Sequence, residues 1–371
     1  MTSLSPLSRA IWPRCFFWAV LLLIIAAEIV TAVVSAQLGL ALHALVIVVL
    51  AAYRALARGK EEQTFALTLL MAPLTRMLSL GLPLDRFPQI AWYAIASAPL
   101  LAAAAIITHK LGLSRRDLGL HAGDLGLQLM ISAGGLGLGA SAYLILKPAP
   151  LVASWSWADL WLPALILLVC TGLAEEMIFR GVLQVAALPV LGPLALLYIA
   201  LLFAALQIGF LSPAHVCFTC GVGLMFACVR QWSGSIIGIS LGHGLTNIML
   251  LIVMPYLAET RAGAVAVAAP WVIVAGSLLG AAAAGALMIR AIRFGTPDQL
   301  PANSTAALRS LRLQSGLGYV ELARRTGIPV RELAEIEHGL RPIQPEQRRQ
   351  LANVLGITQR LIIPPEQRGT L

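Results

Sequence analysis

Ala174-Glu175-Glu176-Met177-Ile178-Phe179-Arg180-Gly181 places three ionisable side chains inside an otherwise apolar run from Trp161 to Leu188. Carrying one charge to the middle of a bilayer costs roughly 3 to more than 10 kcal/mol, so a carboxylate pair at that depth points to a site. The plain alternative is a structural ion pair. Glu176 and Arg180 stand at i and i+4, on one face of a helix, and can satisfy each other.

The rest of the chain has the composition of a membrane protein. Of 371 residues, 59% are hydrophobic and 12% charged, with mean hydropathy +0.85, whereas soluble domains carry about 25% charged residues. Apolar segments of spanning length lie near 15–35, 38–53, 64–82, 89–109, 125–146, 161–187, 190–211, 214–230, 234–256 and 267–290. The expected fold is all-α: a polytopic transmembrane bundle of ten spans followed by a small soluble helical domain. Eleven basic residues fall on one side (Arg9, Arg14, Arg54, Arg58, Lys60, Lys110, Arg115, Arg116, Arg230, Arg290 and Arg293), against Arg86, Lys147 and Arg261 on the other. That bias implies an even span count in the plasma membrane, with both termini in the cytoplasm. Arg9, Arg14 and the later Val34-Ser35-Ala36 mimic a secretory signal, but the apolar run is long and Glu28 interrupts it, which favours an uncleaved first helix.

Cys15, Cys170, Cys217, Cys220 and Cys228 are odd in number and lie mostly in apolar segments, which argues against a disulfide framework. Cys217-Phe218-Thr219-Cys220 has zinc-like spacing but no second pair, so it reads as ordinary packing. Composition changes abruptly at Pro297–Thr305, which reads as a linker. The expected divisions are 1–110 (N-terminal transmembrane helices), 111–293 (a membrane core), 294–305 (linker) and 306–371 (soluble domain). Of the net charge of +9, +4 falls on residues 305–371, which suits an anionic partner.

Two further polar pairs share the i, i+4 spacing: Phe203 with Gln207, and His243 with Asn247. On a helix this stacks two side chains on one face, so polar groups can turn inward while lipid meets leucine and alanine. Glu175-Glu176-x-x-x-Arg180, Phe203-x-x-x-Gln207 and His243-x-x-x-Asn247, in that order, resemble the CAAX-prenyl-protease and bacteriocin-processing family of intramembrane proteases. Leu113-Ser114-Arg115-Arg116-Asp117-Leu118-Gly119-Leu120 looks like that family's cytoplasmic lead-in, and Ser233-Gly234-Ser235 like its approach to the histidine helix. The resemblance covers roughly residues 110–256.

The resemblance implies an endopeptidase in which Glu175 or Glu176 activates a water to attack a peptide carbonyl near the cytoplasmic face. His243 and Asn247 would hold the developing oxyanion or a divalent metal such as zinc. Glu176 and His243 are the donors such a metal would take, and an amide like Gln207 is a poor zinc ligand. Gln207 stands where the family has histidine, although an amide can still donate a hydrogen bond to an oxyanion. His215 is expected not to replace it: on one continuous helix, eight residues turn it by about 80°, and Pro213 intervenes. Two readings stay open: a glutamate-driven, metal-independent hydrolase, and a protease-derived scaffold that binds without cutting. A transporter, with polar pairs lining an ion path, ranks below both because the polar positions show no inverted symmetry.

After Ala306, Leu308-Arg309-x-Leu311-Arg312, Val320-Glu321-Leu322-Ala323-x-x-Thr326-Gly327-Ile328 and Val330-Arg331-x-Leu333-x-x-Ile336-Glu337-x-Gly339 give short amphipathic helices. Gly327 sits where one helix must stop and turn into the next. This looks like a helix-turn-helix domain of the phage-repressor and Cro-like family. The resemblance implies that Val330–His338 enters the DNA major groove, with Arg331 on that helix and Arg324, Arg325 and Arg341 near phosphates. Arg309, Arg312, Arg348 and Arg349 complete the expected phosphate contacts. Glu332, Glu335 and Glu337 oppose that role, and the alternative is a domain kept for protein contacts. The partners implied are a membrane-embedded or membrane-proximal peptide, the lipid bilayer and DNA.

Overall fold

The computed structural model describes residues 6–260, 271–276, 278, 280, 282, 285–287, 289, 308, 311, 312, 315–337, 341 and 343–356, with side chains from Trp12 onward. Helices and turns account for these residues, and no strand occurs among them. Two compact units divide the chain, 1–285 and 286–371.

The first unit is a helical membrane body. Its helices are α1 (Pro6–Val33), α2 (Ala36–Leu56), α3 (Lys60–Leu69), α4 (Met71–Gly81), α5 (Gln89–Leu111), α6 (Leu125–Leu146), α7 (Trp157–Leu191), α8 (Leu194–Ala205), α9 (Pro213–Ser233) and α10 (Ile237–Thr260). Taking α3 and α4 together, eight of these are long and apolar enough to cross a membrane. Leu22, Val48, Ile106 and Leu129 are exposed on the outer faces. In lipid such faces carry no penalty, so the chain is a multi-pass membrane protein.

The expected ten spans need two amendments. The seventh segment is short: α8 has 12 residues, about 18 Å of helix against about 30 Å of hydrocarbon. It stops because Ser212 caps, and Pro213 opens, the next helix. The tenth segment, 267–290, is described only in part, at 271–276, 278, 280, 282, 285–287 and 289, all of them helical. The third segment is broken at Leu70, where Pro73 in the first turn of α4 cannot donate to the preceding helix.

Packing explains why these rods stay together without a hydrophobic drive between them. Phe17, Ile24, Leu50, Phe65, Leu183 and Tyr198 form part of one buried cluster joining α1, α2, α3, α7 and α8. The Tyr198 hydroxyl donates to the carbonyl of Phe17 at 3.0 Å. On the other side, α10 lies against α6 at backbone distance: a Cβ at Gly135 would stand 2.1 Å from the carbonyl oxygen of Gly242. Thr246 Oγ1 donates to the Gly135 carbonyl at 3.1 Å across the same contact.

The second unit contains α11 (Tyr319–Thr326), α12 (Val330–Glu337) and α13 (Pro345–Leu355). Leu322, Ile328, Leu333, Ile336, Leu351 and Leu355 belong to its buried core. Gly327, at φ +73°, ends α11 in the left-handed region that allows the turn into α12.

Candidate active site

The carboxylate pair sits in α7 between two π-helical stretches, Leu167–Leu173 and Met177–Leu183. Such wider turns break the 3.6-residue phase of a helix and concentrate at functional sites. Here the first wide stretch lies where α7 meets α10: a Cβ at Gly172 would stand 2.5 Å from the carbonyl oxygen of Ser240. The pair is therefore presented to the histidine helix at close range.

The two glutamates have different surroundings. Glu176 is fully buried, and its Oε1 lies 2.9 Å from His243 Nδ1 and 3.1 Å from Arg180 Nη1. Glu175 instead lines a cavity of about 440 Å³, with its side chain 34% exposed and its Oε2 3.9 Å from His243 Nε2. His243 thus bridges the pair, one ring nitrogen towards each carboxylate.

Arg180 is likewise fully buried and donates from Nη2 to the Gly223 carbonyl at 3.0 Å. Its guanidinium carbon stands 4.6 Å from the ring centre of Phe203, and that ring meets His243 edge to face at 5.9 Å. Phe203 accordingly touches both groups, and its face offers the arginine a cation–π contact. Asn247 donates from Nδ2 to Thr171 Oγ1 at 2.8 Å, and Thr171 Oγ1 itself donates to the Leu167 carbonyl.

Gln207, Phe203, Glu175, His243 and Asn247 all line the same cavity. The three sequence motifs therefore converge, with Glu176 and Arg180 behind the cavity wall. The lead-in stretch and the serine-glycine-serine stretch also meet: Ile236 N donates to the Gly119 carbonyl at 2.9 Å, and Arg230 Nη2 to the Asp117 carbonyl at 2.7 Å.

His215 corrects the sequence expectation. It too lines the cavity. An 80° offset holds only on one continuous helix, whereas α8 ends at Ala205, Gln207 leads into a 3-10 turn (Ile208–Phe210), and His215 lies in the first turn of α9. The Ser212-Pro213 helix-start signal was the clue in the sequence. Thr171, Thr219 and Tyr93 are further polar cavity residues that spacing did not single out.

A metal is not served well by this arrangement. Among the described residues no group of three His, Cys, Asp or Glu side chains could hold one. Glu176 and His243, the expected ligands, are joined directly to each other, and Glu176 Oε1 also holds Arg180.

A second buried polar cluster braces the turn carrying Gln207. Arg76 of α4 lies 2.6 Å from Glu28 of α1, which is 1% exposed, and donates from Nη2 to the Leu206 carbonyl at 2.8 Å. His43 of α2 stands 3.4 Å from the same glutamate. Glu28 was legible as an interruption of an apolar run, but its pairing with Arg76 was not.

In the second unit, the arginines expected to meet DNA are engaged with carboxylates. Glu321 takes Arg324 at 2.7 Å and Arg325 at 2.6 Å, and these hydrogen bonds, Arg324's first, pull its carboxyl down to about 2. Arg331 pairs with Glu335 at 3.0 Å, and Arg341 with Glu332 at 3.3 Å. Arg312, expected to face phosphate, is instead buried: it holds Glu337 at 2.6 Å and 3.0 Å while Tyr319 donates to the same carboxylate at 2.7 Å. Arg349 lies 3.7 Å from Glu346, and Arg309 falls outside the described residues.

Comparison with known families agrees with both halves of this picture. Residues 156–249 match the family described as type II CAAX prenyl endopeptidase Rce1-like. Residues 305–362 match a helix-turn-helix domain family. No curated protein and no solved structure matches the chain. The protein thus joins a CAAX-protease-like multi-pass membrane body, part of which matches the Rce1-like family, to a C-terminal helix-turn-helix domain.

Proposed function

We propose that the membrane body, with 111–293 as its core, is an intramembrane endopeptidase that cuts a membrane-anchored peptide by glutamate-activated water. The observation that carries this reading is the division of labour within the carboxylate pair. Glu176 holds both His243 and Arg180 through its Oε1, whereas Glu175 faces the cavity beside the other ring nitrogen of the same histidine. Glu175 is the base: it takes the proton of the attacking water. Glu176 and Arg180 fix the imidazole, while Asn247, Gln207 and His243 supply hydrogen-bonding groups on the cavity wall. None of these roles requires a metal.

The test is cleavage by the full chain reconstituted in liposomes. The probes are membrane-anchored peptides, one set prenylated at a C-terminal CAAX sequence and one carrying an apolar helix instead, with products identified by mass spectrometry. Glu175→Gln and His243→Ala are expected to abolish cleavage while accumulating normally. Unchanged products in both variants would refute the reading.

The amide at position 207 favours a second reading, a protease-derived membrane sensor that binds its peptide without cutting it. Absence of products from the native chain together with retained peptide binding selects it. In either case the bias of basic residues supports a plasma membrane protein with both termini in the cytoplasm, and the reading takes 294–305 as linker and 306–371 as a DNA-binding module. Fluorescence anisotropy with duplex DNA tests that module. Binding is expected to weaken steeply with salt, and no binding at low salt would remove the assignment.

A further inference from the structure

The cavity holds an imidazole that none of the three sequence motifs includes. His215 is 7% exposed and lines the cavity together with Glu175, Gln207, His243 and Asn247. Its place is fixed by the start of α9: Pro213 opens the helix, and Ser212 Oγ accepts from the His215 backbone N–H at 3.3 Å. Phe210 meets the ring at 5.0 Å between centres, at 63°. One turn on, Thr219 Oγ1 lies 3.5 Å from Nε2, and Thr219 is another cavity residue.

The other ring nitrogen, Nδ1, is buried and has no hydrogen-bond partner among the described residues. In a neutral imidazole one nitrogen donates and the other accepts. In the tautomer in which Thr219 donates to Nε2, the hydrogen sits on Nδ1 and has no acceptor. A buried donor of this kind is costly unless a partner satisfies it, and a peptide carbonyl drawn against the ring as the cavity fills would be such a partner.

We propose that His215 is a further catalytic residue, an imidazole donor to the carbonyl oxygen of the scissile peptide, serving in place of the histidine that position 207 lacks. This rests on the peptidase reading above. Water adds to the carbonyl carbon as Glu175 takes one of its protons, and the C=O electron pair moves onto the oxygen, where the His215 N–H meets it. On collapse the C=O bond re-forms, the C–N bond breaks, and the departing nitrogen receives the proton held by Glu175. No charge on His215 is needed at any stage.

The experiment uses the full chain in nanodiscs with ¹⁵N-labelled histidine. Six histidines are present, and His215→Asn identifies the ring signals of this one. The probe is the tripeptide aldehyde acetyl-leucyl-leucyl-leucinal, whose carbonyl presents the oxygen without a bond to cut. A shift of the His215 Nδ1 resonance at saturating probe is expected, and an unmoved resonance overturns the proposal whether or not the native chain cleaves peptides.

In parallel, His215→Ala should lower cleavage by about 100-fold, and adding Gln207→His should restore it to within about 10-fold of the native rate. Cleavage by His215→Ala within about twofold of native likewise overturns it. If the native chain shifts the His215 signal but cuts nothing, the peptidase reading fails while the carbonyl contact stands.

Discussion

His243 Nδ1 lies 2.9 Å from Glu176 Oε1, although the two residues are 67 positions apart in the chain. The same oxygen also receives Arg180, so Glu176 neutralises a buried cation and orients an imidazole at once. Its neighbour Glu175 contacts neither Arg180 nor Nδ1 at bonding distance, and this separates the expected effects of the two substitutions.

Glu175→Gln should leave folding intact and remove activity. Glu176→Ala should instead strand Arg180 without its carboxylate, costing about 3–5 kcal/mol because an unpaired charge remains buried. Thermal unfolding in detergent, read beside cleavage, checks this. Equal melting temperatures for the two variants would contradict the assignment.

Gly135→Ala should weaken the body by about 1–3 kcal/mol, since the added methyl meets the Gly242 backbone, which cannot move aside as a flexible side chain would. Gly81→Ala serves as the control, because a Cβ there meets nothing within 4 Å. The melting temperature of the first should fall and that of the second should hold.

The tail domain carries a pH dependence of definite sign. Glu321 is pulled from its ordinary value of 4.5 to about 2 by Arg324 and Arg325. A carboxyl lowered by folding contributes stability that is present above the unfolded value and lost as pH falls through the folded one. Protection of the α11 amides, taken relative to the intrinsic exchange rate at each pH, should therefore fall between pH 4.5 and about 2, and Glu321→Gln should flatten that change. An identical acid profile in the variant would show that the pairing contributes nothing.

Glu28→Gln should destabilise the membrane body by about 3–5 kcal/mol, because Arg76, itself partly buried, loses its partner at the fully buried Glu28 position. Restored stability is expected when Arg76→Met accompanies it, since the pair is then removed together. A double variant no more stable than Glu28→Gln alone would argue against coupling.

How much of this was legible in the sequence depended on the range of the signal. Spanning helices announce themselves through length and hydropathy alone, and i, i+4 spacing identified the motif pairs now found around the cavity or just behind its wall, with Glu175 marked by its charge beside Glu176. What spacing could not carry was the break between Gln207 and His215, because helical phase is meaningful only within one continuous helix. The Arg76–Glu28 pair escaped for a related reason: both lie in apolar runs, 48 positions apart, and neither run predicts which face meets the other. In the tail, the arginine pattern was plain, but the pairing of Arg312 with Glu337 depended on tertiary packing that carries one element of the domain over another.

The hydrogen bond from Arg76 to the Leu206 carbonyl carries a practical consequence for dissecting this protein. Excision of the family-matched stretch, 156–249, would sever the bend bearing Gln207 from its anchor in α4 and, through Glu28, from α1. A trimmed fragment would keep every motif letter and lose the brace that holds one side of the pocket. Truncation series for reconstitution should accordingly begin ahead of α1, and an inactive short fragment would be evidence of a missing support, not of missing chemistry.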